Sequence, residues 1–351
     1  MSFLNSWFSP LYDAILCPSL PSTFRWRLLA FQPIVLLTNT IQYLPTLFTK
    51  GHRTVIWIPL KRAPGHSLRA IVCHPRTQNK PGSRALHLNI HGGGFLGGLP
   101  EGQTSFCQKV ANETGAVVVS TSHRYAPRYT FPTAHEDVQD VAEWLIENAD
   151  RLWGANPRLM SVSGFSSGGN LALGVAQRLA HTEFSIKASV TFYAPIDLRL
   201  PPWEKPRPAG FPEKDPLAFL QPLMDAYAGP GREKNLTNPL LHPILADIEC
   251  LPRNMMFVVP KLDILLHEQT VFVERLKEEA AAINRGLTDE QSSPESRSHP
   301  YRIESRFDEG QIHGWLEIPS MFIDAKLRDQ IFDDAVQFLN DVYALHGQCS
   351  C

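Results

Sequence analysis

The stretch Gly164-Phe165-Ser166-Ser167-Gly168 constrains this chain more than any other, because it sets a serine between two glycines directly after the apolar-rich run Leu159-Met160-Ser161-Val162-Ser163. A strand feeding a sharp turn strains the serine backbone, and side chains in place of the glycines would collide with the neighbouring strand or helix. Residues 169–176 carry a helical pattern, so the free N–H groups of a helix N-terminus point back toward the serine. The turn lifts the Ser166 hydroxyl clear of the sheet. Alone, the five-residue pattern recurs by chance in loops; its weight comes from the strand, turn and helix around it and from partners elsewhere.

The rest of the chain supplies the sheet that such a turn needs. Residues 54–59 and 68–73 predict two antiparallel strands joined at Ala63-Pro64-Gly65. Further strands at 85–90, 116–120, 159–163, 188–193, 255–259 and 301–307 alternate with helices at 103–114, 134–148, 169–176, 268–283 and 331–342. That alternation predicts an α/β fold with a mostly parallel central sheet covered by helices on both sides.

Two segments fall outside this rhythm. Residues 28–48 are apolar enough to raise a membrane span, but Gln32, Pro33, Thr38, Asn39, Thr40, Gln42 and Pro45 favour amphipathic helices capping a substrate pocket. Arg25, Arg27, Lys50 and Arg53 flank that segment and leave peripheral membrane contact through residues 1–50 as the alternative. Residues 197–240 are a proline-heavy excursion with a short helix near 217–227, assigned to the same cap. The expected organisation is an N-terminal cap segment at 1–53, core at 54–196, a cap or lid excursion at 197–240 and core again at 241–351. The polar stretch 287–299 is expected to be a disordered surface insertion.

Composition narrows the partners. A formal charge of -2 with no long basic block excludes a nucleic-acid surface and points to a neutral or apolar small molecule. Cys17, Cys73, Cys107, Cys250, Cys349 and Cys351 have neither metal-ligand nor disulfide-framework spacing, so the expectation is no metal and a reducing, cytoplasmic compartment. No nucleotide-binding glycine frame is present, and no cofactor is expected. The first residues lack a positive leader, and Asp13 and several prolines interrupt their apolar run. The double-cysteine ending resembles prenylated tails, but a plain tail is the expectation, and nothing fixes the oligomeric state.

A serine hydroxyl is a poor nucleophile at neutral pH until a base takes its proton. Of thirteen histidines, His313 stands out because Gly310-Gln311-Ile312-His313-Gly314 follows the last strand, at the carboxyl edge where parallel sheets place their sites. An imidazole in turn needs a carboxylate to fix its tautomer. Asp263 follows the strand at 255–259 and completes the chain order Ser166, Asp263, His313. Asp247 and Glu249 precede their strand and belong to the opposite edge, whereas Asp308 and Glu309 lie close enough to His313 to remain rivals. Fixed donors for the attacked carbonyl's oxyanion are worth roughly 3–4 kcal/mol each. The run His91-Gly92-Gly93-Gly94 is suited to supply them, because three residues without side chains let backbone N–H groups approach a substrate oxygen, with the N–H of Ser167 completing the hole.

His91-Gly92-Gly93-Gly94, His123-Arg124-Tyr125-Ala126-Pro127, Phe131-Pro132-Thr133-Ala134-His135-Glu136-Asp137-Val138 and Gly164-Phe165-Ser166-Ser167-Gly168-Gly169-Asn170 together resemble the hormone-sensitive-lipase branch of the α/β-hydrolases, over residues 85–345. The resemblance implies the α/β-hydrolase fold with a helical cap, Ser166 as nucleophile, Asp263 as acid, His313 as base, and Gly92, Gly93 and Ser167 as oxyanion donors. It also implies that His91 and Gly94 shape the loop, and that the reaction is hydrolysis of a carboxylic ester through an acyl-enzyme. The chain departs from the family at Phe165, where an acidic residue is common, at Ser167, where alanine is, and at Lys261, where the acid loop usually begins with glycine. Two other classes exist on this scaffold: a non-hydrolytic natural-product enzyme (dehydratase, cyclase or acyl transferase) and a receptor. Receptor relatives have lost the base, so the presence of His313 weighs against that reading.

Overall fold

The computed structural model describes residues 3–18, 20–48, 53–76, 84–211, 218–288 and 299–347. Most of the expected 287–299 insertion, residues 212–217 of the excursion and the tail at 348–351 lie outside them. The strands are β1 (Arg53–Pro59), β2 (Ser67–Cys73), β3 (Arg84–Ile90), β4 (Val117–Thr121), β5 (Ala155–Phe165), β6 (Ala188–Phe192), β7 (Asn254–Leu262) and β8 (Arg302–Ile312). They form one sheet in the order β1-β2-β4-β3-β5-β6-β7-β8. Only the β1–β2 and β2–β4 pairings are antiparallel. From β4 to β8 every pairing is parallel, so the carboxyl ends share one edge.

Alternation along each strand separates two cores. Leu86, Leu88 and Ile90 of β3 and Val117 and Val119 of β4 face one side, while Ala85, Val118, Val190 and Val258 face the other. The first side is covered by α4 (Thr133–Trp153) and α5 (Ser167–Leu179), through Val138, Val141, Leu145, Leu171 and Val175. The second is covered by α3 (Thr104–Thr114) and α8 (Ala325–Leu345), through Phe106, Val110, Ile331, Phe338 and Leu339. A strand covered on both faces favours a continuous apolar run, and β4, buried at all five positions, reads Val117-Val118-Val119 before Ser120 and Thr121 at its carboxyl end. A fifth helix of the cover, α7 (Leu266–Thr288), packs Phe272, Val273 and Leu276 against Met255, Phe257 and Val259 of β7.

At the N-terminus, α1 (Phe3–Leu16) and α2 (Ser22–Phe48) pair, with the Trp7 and Tyr43 rings edge to face at 5.1 Å. Arg25 closes the end of α1 by donating to the carbonyls of Ala14 at 3.0 Å and Ile15 at 2.9 Å, which have no partner inside the helix. Asp13 ties α1 to the core through Arg128 at 2.8 Å. The long α2 runs through Pro33, buries Gln32 and Asn39, and leaves Leu37 and Leu44 exposed. Among the described residues no helix is long and apolar enough to cross a membrane.

The helix of the excursion is shorter than its sequence suggests: a 3-10 turn, Ala218–Leu220, leads into α6 (Gln221–Met224), a single α turn that ends short of the expected Tyr227. Tyr227 turns inward instead, stacking on Phe95 at 4.1 Å and hydrogen-bonding His135 at 2.8 Å, and this tertiary anchor outweighs propagation of so short a helix. At the other end Lys205 pairs with buried Glu268 of α7. The second Glu268 oxygen accepts from the N–H of Ile196 at 2.8 Å and of Asp197 at 3.1 Å, pinning the base of the excursion to the core.

Candidate active site

Ser166 caps α5 at φ 49° and ψ -122°, a conformation that L residues adopt only when the surroundings impose it. The reason is close approach. A Cβ on Gly164 would stand 2.1 Å from the carbonyl oxygen of Gly168, and one on Gly168 would stand 2.1 Å from that of Ile90 in β3. Substituting Gly168→Ala is therefore expected to cost at least about 2–3 kcal/mol. A urea unfolding midpoint equal to wild type would contradict that packing.

The three side chains expected at the carboxyl edge meet there. Ser166 Oγ lies 2.8 Å from His313 Nε2, and His313 Nδ1 lies 2.8 Å from Asp263 Oδ2. Asp263 is fully buried, and its Oδ1 accepts the N–H of Leu265 at 3.0 Å. The strands run further than their patterns indicated, β7 to Leu262 and β8 to Ile312, so the acid and the histidine each follow a strand directly. The rivals are engaged elsewhere: Asp308 with Arg306 at 2.8 Å and Glu309 with Lys261. Burial opposes the charged imidazolium of His313. The charge and hydrogen bond of Asp263, with the charges of Glu317 and Glu268, outweigh it and hold its pKa above the ordinary value.

His91, Gly92, Gly93 and Gly94 line the same cavity as Ser166, Ser167 and His313. As the first residue of α5, Ser167 carries an N–H with no acceptor inside the helix. His91 Nδ1 donates to the carbonyl of Gly92 at 2.6 Å, and its Nε2 lies 3.4 Å from the Tyr125 hydroxyl. Burial pushes its pKa down to about 4, only partly offset by the Gly92 bond, so the ring stays neutral and braces the loop.

Packing accounts for the unusual Phe165 of the turn. Phe165 is buried against the Phe192 ring at 4.2 Å, with Phe106 and Phe332 edge-on at 5.6 and 6.4 Å, so an acidic side chain there would lose its water without a partner. Two further residues gather at the site. Tyr193, at φ 42° directly after β6, presents its ring to His313 at 5.1 Å, and Glu317 lies four residues beyond that histidine. The position of Tyr193 at a strand's carboxyl end is the one clue that could have pointed to it.

The cavity measures about 610 Å³. Phe31, Ile34 and Val35 of α2, with Leu220 and Met224 of the excursion, form part of its wall, and Gln103, Lys205 and Glu317 add polar groups. Among the described residues no group of three His, Cys, Asp or Glu side chains could hold a metal ion.

This turn on a mostly parallel sheet, with serine, histidine and aspartate at its carboxyl edge, is the architecture of an α/β hydrolase. The family model described as the alpha/beta hydrolase fold matches residues 87–286, and the chain belongs to that family. Its similarity to hormone-sensitive lipase from Homo sapiens is 30% identity over 166 residues, covering 47% of this chain and 15% of that one. Ethyl acetate hydrolase from Pseudomonas putida is 34% identical over 116 residues, 33% of this chain and 36% of that protein. The chain thus spans little more than a third of that relative and less of the lipase. Among solved structures, EstE1, a thermostable carboxylesterase from a metagenomic library, superposes with a TM-score of 0.69 at 25% identity, covering 89% of this chain and 97% of its own.

Proposed function

We propose that this chain is a serine hydrolase of carboxylic esters, with Ser166 as nucleophile, His313 as general base and Asp263 as its orienting acid. The observation that carries the reading is the continuous path of 2.8 Å contacts from Ser166 Oγ through His313 to a fully buried Asp263. His313 takes the proton as Ser166 attacks the ester carbonyl. The oxyanion is held by the N–H groups of Gly92, Gly93 and Ser167, and the imidazolium then protonates the leaving alcohol. Water activated by the same histidine releases the acid. His91 and Gly94 shape the loop and take no proton.

Residues 3–48 and the excursion within 197–240 are read as the cap that selects the substrate, since both contribute to the cavity wall. The apolar side chains there favour a neutral or apolar small ester over a charged one, with no nucleic acid as partner. Ile15, Leu16 and Leu37, exposed on the outer side of α1 and α2, support a peripheral contact with a lipid surface. Each methylene buried in such a wall adds about 0.8 kcal/mol, or roughly fourfold in kcat/KM. Turnover of p-nitrophenyl esters from acetate upward is expected to rise by up to that factor per methylene before falling once the cavity is full. An acetate optimum would refute acyl binding in this cavity, and inactivity on every ester would favour the non-hydrolytic class.

A further inference from the structure

A second carboxyl group reaches the cavity floor from the loop that carries the histidine. Trp315 and Leu316 are buried and hold a single 3-10 turn, Trp315–Glu317, closed by the Glu317 N–H donating to the Gly314 carbonyl at 3.0 Å. Glu317 Oε1 accepts from Gln103 Nε2 at 2.6 Å, and Oε2 accepts from the Tyr193 hydroxyl at 3.3 Å. Both donors are buried. A Cβ built on Gly92 would lie 2.9 Å from the Phe165 carbonyl oxygen, 3.3 Å from Glu317 Oε2 and 3.4 Å from Oε1, so the backbone of the turn and the carboxylate together close on the space that the glycine leaves. Tyr193, which holds one oxygen, also sets its ring against His313 at 5.1 Å. Glu317 therefore joins three parts that converge on Ser166: the glycine loop, the end of β6 and the loop of the base.

Acyl transfer does not call for a carboxylate in that place. Donors belong around a developing oxyanion, and an acceptor beside Gly92 opposes it unless a positive charge appears nearby in the same step. That charge is the imidazolium of His313. Burial disfavours the ionised Glu317 and raises its carboxyl above the ordinary range, although His313, Tyr193 and Gln103 all pull the other way.

We propose that Glu317 is a second acidic positioning residue of this site, propping Gly92 of the glycine loop and supplying negative charge that favours the imidazolium of His313. The proposal rests on the ester-hydrolase reading above. The groups set around His313 are Asp263 after β7, Tyr193 after β6, Ser166 in the turn, Glu317 on its own loop and, further off, Glu268 of α7, which Lys205 pairs. Those around Glu317 are His313, Tyr193 and Gln103.

Glu317→Gln separates charge from contact. The amide oxygen still accepts from Gln103 and its nitrogen can donate to the Tyr193 oxygen, while the charge is gone. Without that charge the imidazolium is less favoured, so the acid limb of kcat/KM against pH, measured with a p-nitrophenyl ester, should move to lower pH by on the order of 0.5–1 unit. Glu317→Asp keeps the charge, and its limb should stay at the wild-type pH while kcat falls. A limb that does not move in Glu317→Gln, or moves equally in Glu317→Asp, overturns the proposal. If the glutamine variant does not fold, Glu317→Ala is read by the same limb. A fluorophosphonate probe separates the two readings: a wild-type Ser166 that resists labelling overturns both, whereas labelling with an unmoved limb overturns the role of Glu317 alone.

Discussion

Replacing Ser166 with alanine is expected to lower kcat/KM for a p-nitrophenyl ester by about 10⁴- to 10⁶-fold, close to 5–8 kcal/mol of transition-state stabilisation. The size follows from what remains. With Oγ gone there is no atom for His313 Nε2 to deprotonate at 2.8 Å, and no acyl-enzyme can form. The backbone donors of the glycine loop and the cavity wall survive, so a residual acceleration over water is left. The fold should survive too. The turn is imposed by the close approach of Gly164 to Gly168 and of Gly168 to Ile90, and the Ser166 N–H still donates to the Phe192 carbonyl at 2.8 Å. Burst titration of pure protein checks the outcome, and retained turnover would remove Ser166 from the mechanism.

The core was legible because its residues obey short-range rules. The apolar runs of β3 and β4, whose alternate residues face opposite cores, and the apolar stripes on α4 and α8 are consequences of backbone geometry, and they are visible in any window of ten residues. Ser166, Asp263 and His313 were legible for a different reason: parallel strands must all end at one edge, so residues just past three strand ends are neighbours however far apart in sequence. Glu317 obeys neither rule. Its partners Gln103 and Tyr193 come from α3's approach and from the end of β6, and nothing local to residue 317 encodes that meeting. Phe165 is similar, since the aromatic cluster that explains it is assembled from α3, β6 and α8. The end of the helix in the excursion, at Met224 and short of Tyr227, was not legible, because local propensity carries it further and the inward anchor of Tyr227 is a tertiary contact.

Asp263→Asn is expected to lower kcat by about 10³- to 10⁴-fold with little change in KM, because it reverses the proton on His313 while leaving the cavity intact. The Leu265 N–H donates to Oδ1 at 3.0 Å inside a fully buried site, so an asparagine there must keep its oxygen toward Leu265. Its NH₂ then faces His313 Nδ1, where a donor meets a nitrogen that now has to accept. The ring proton moves to Nε2, and the histidine donates to Ser166 Oγ when it should take that proton away. The charge effect adds to the tautomer effect. Burial lowers the His313 pKa and Asp263 is the chief group raising it, so without the carboxylate the imidazolium is disfavoured and the acid limb of kcat/KM should shift to lower pH. A low plateau with a shifted limb is the expected profile. A loss of less than tenfold would mean that another carboxylate serves His313, and Asp308 or Glu309 would then have to leave Arg306 or Lys261 to reach it.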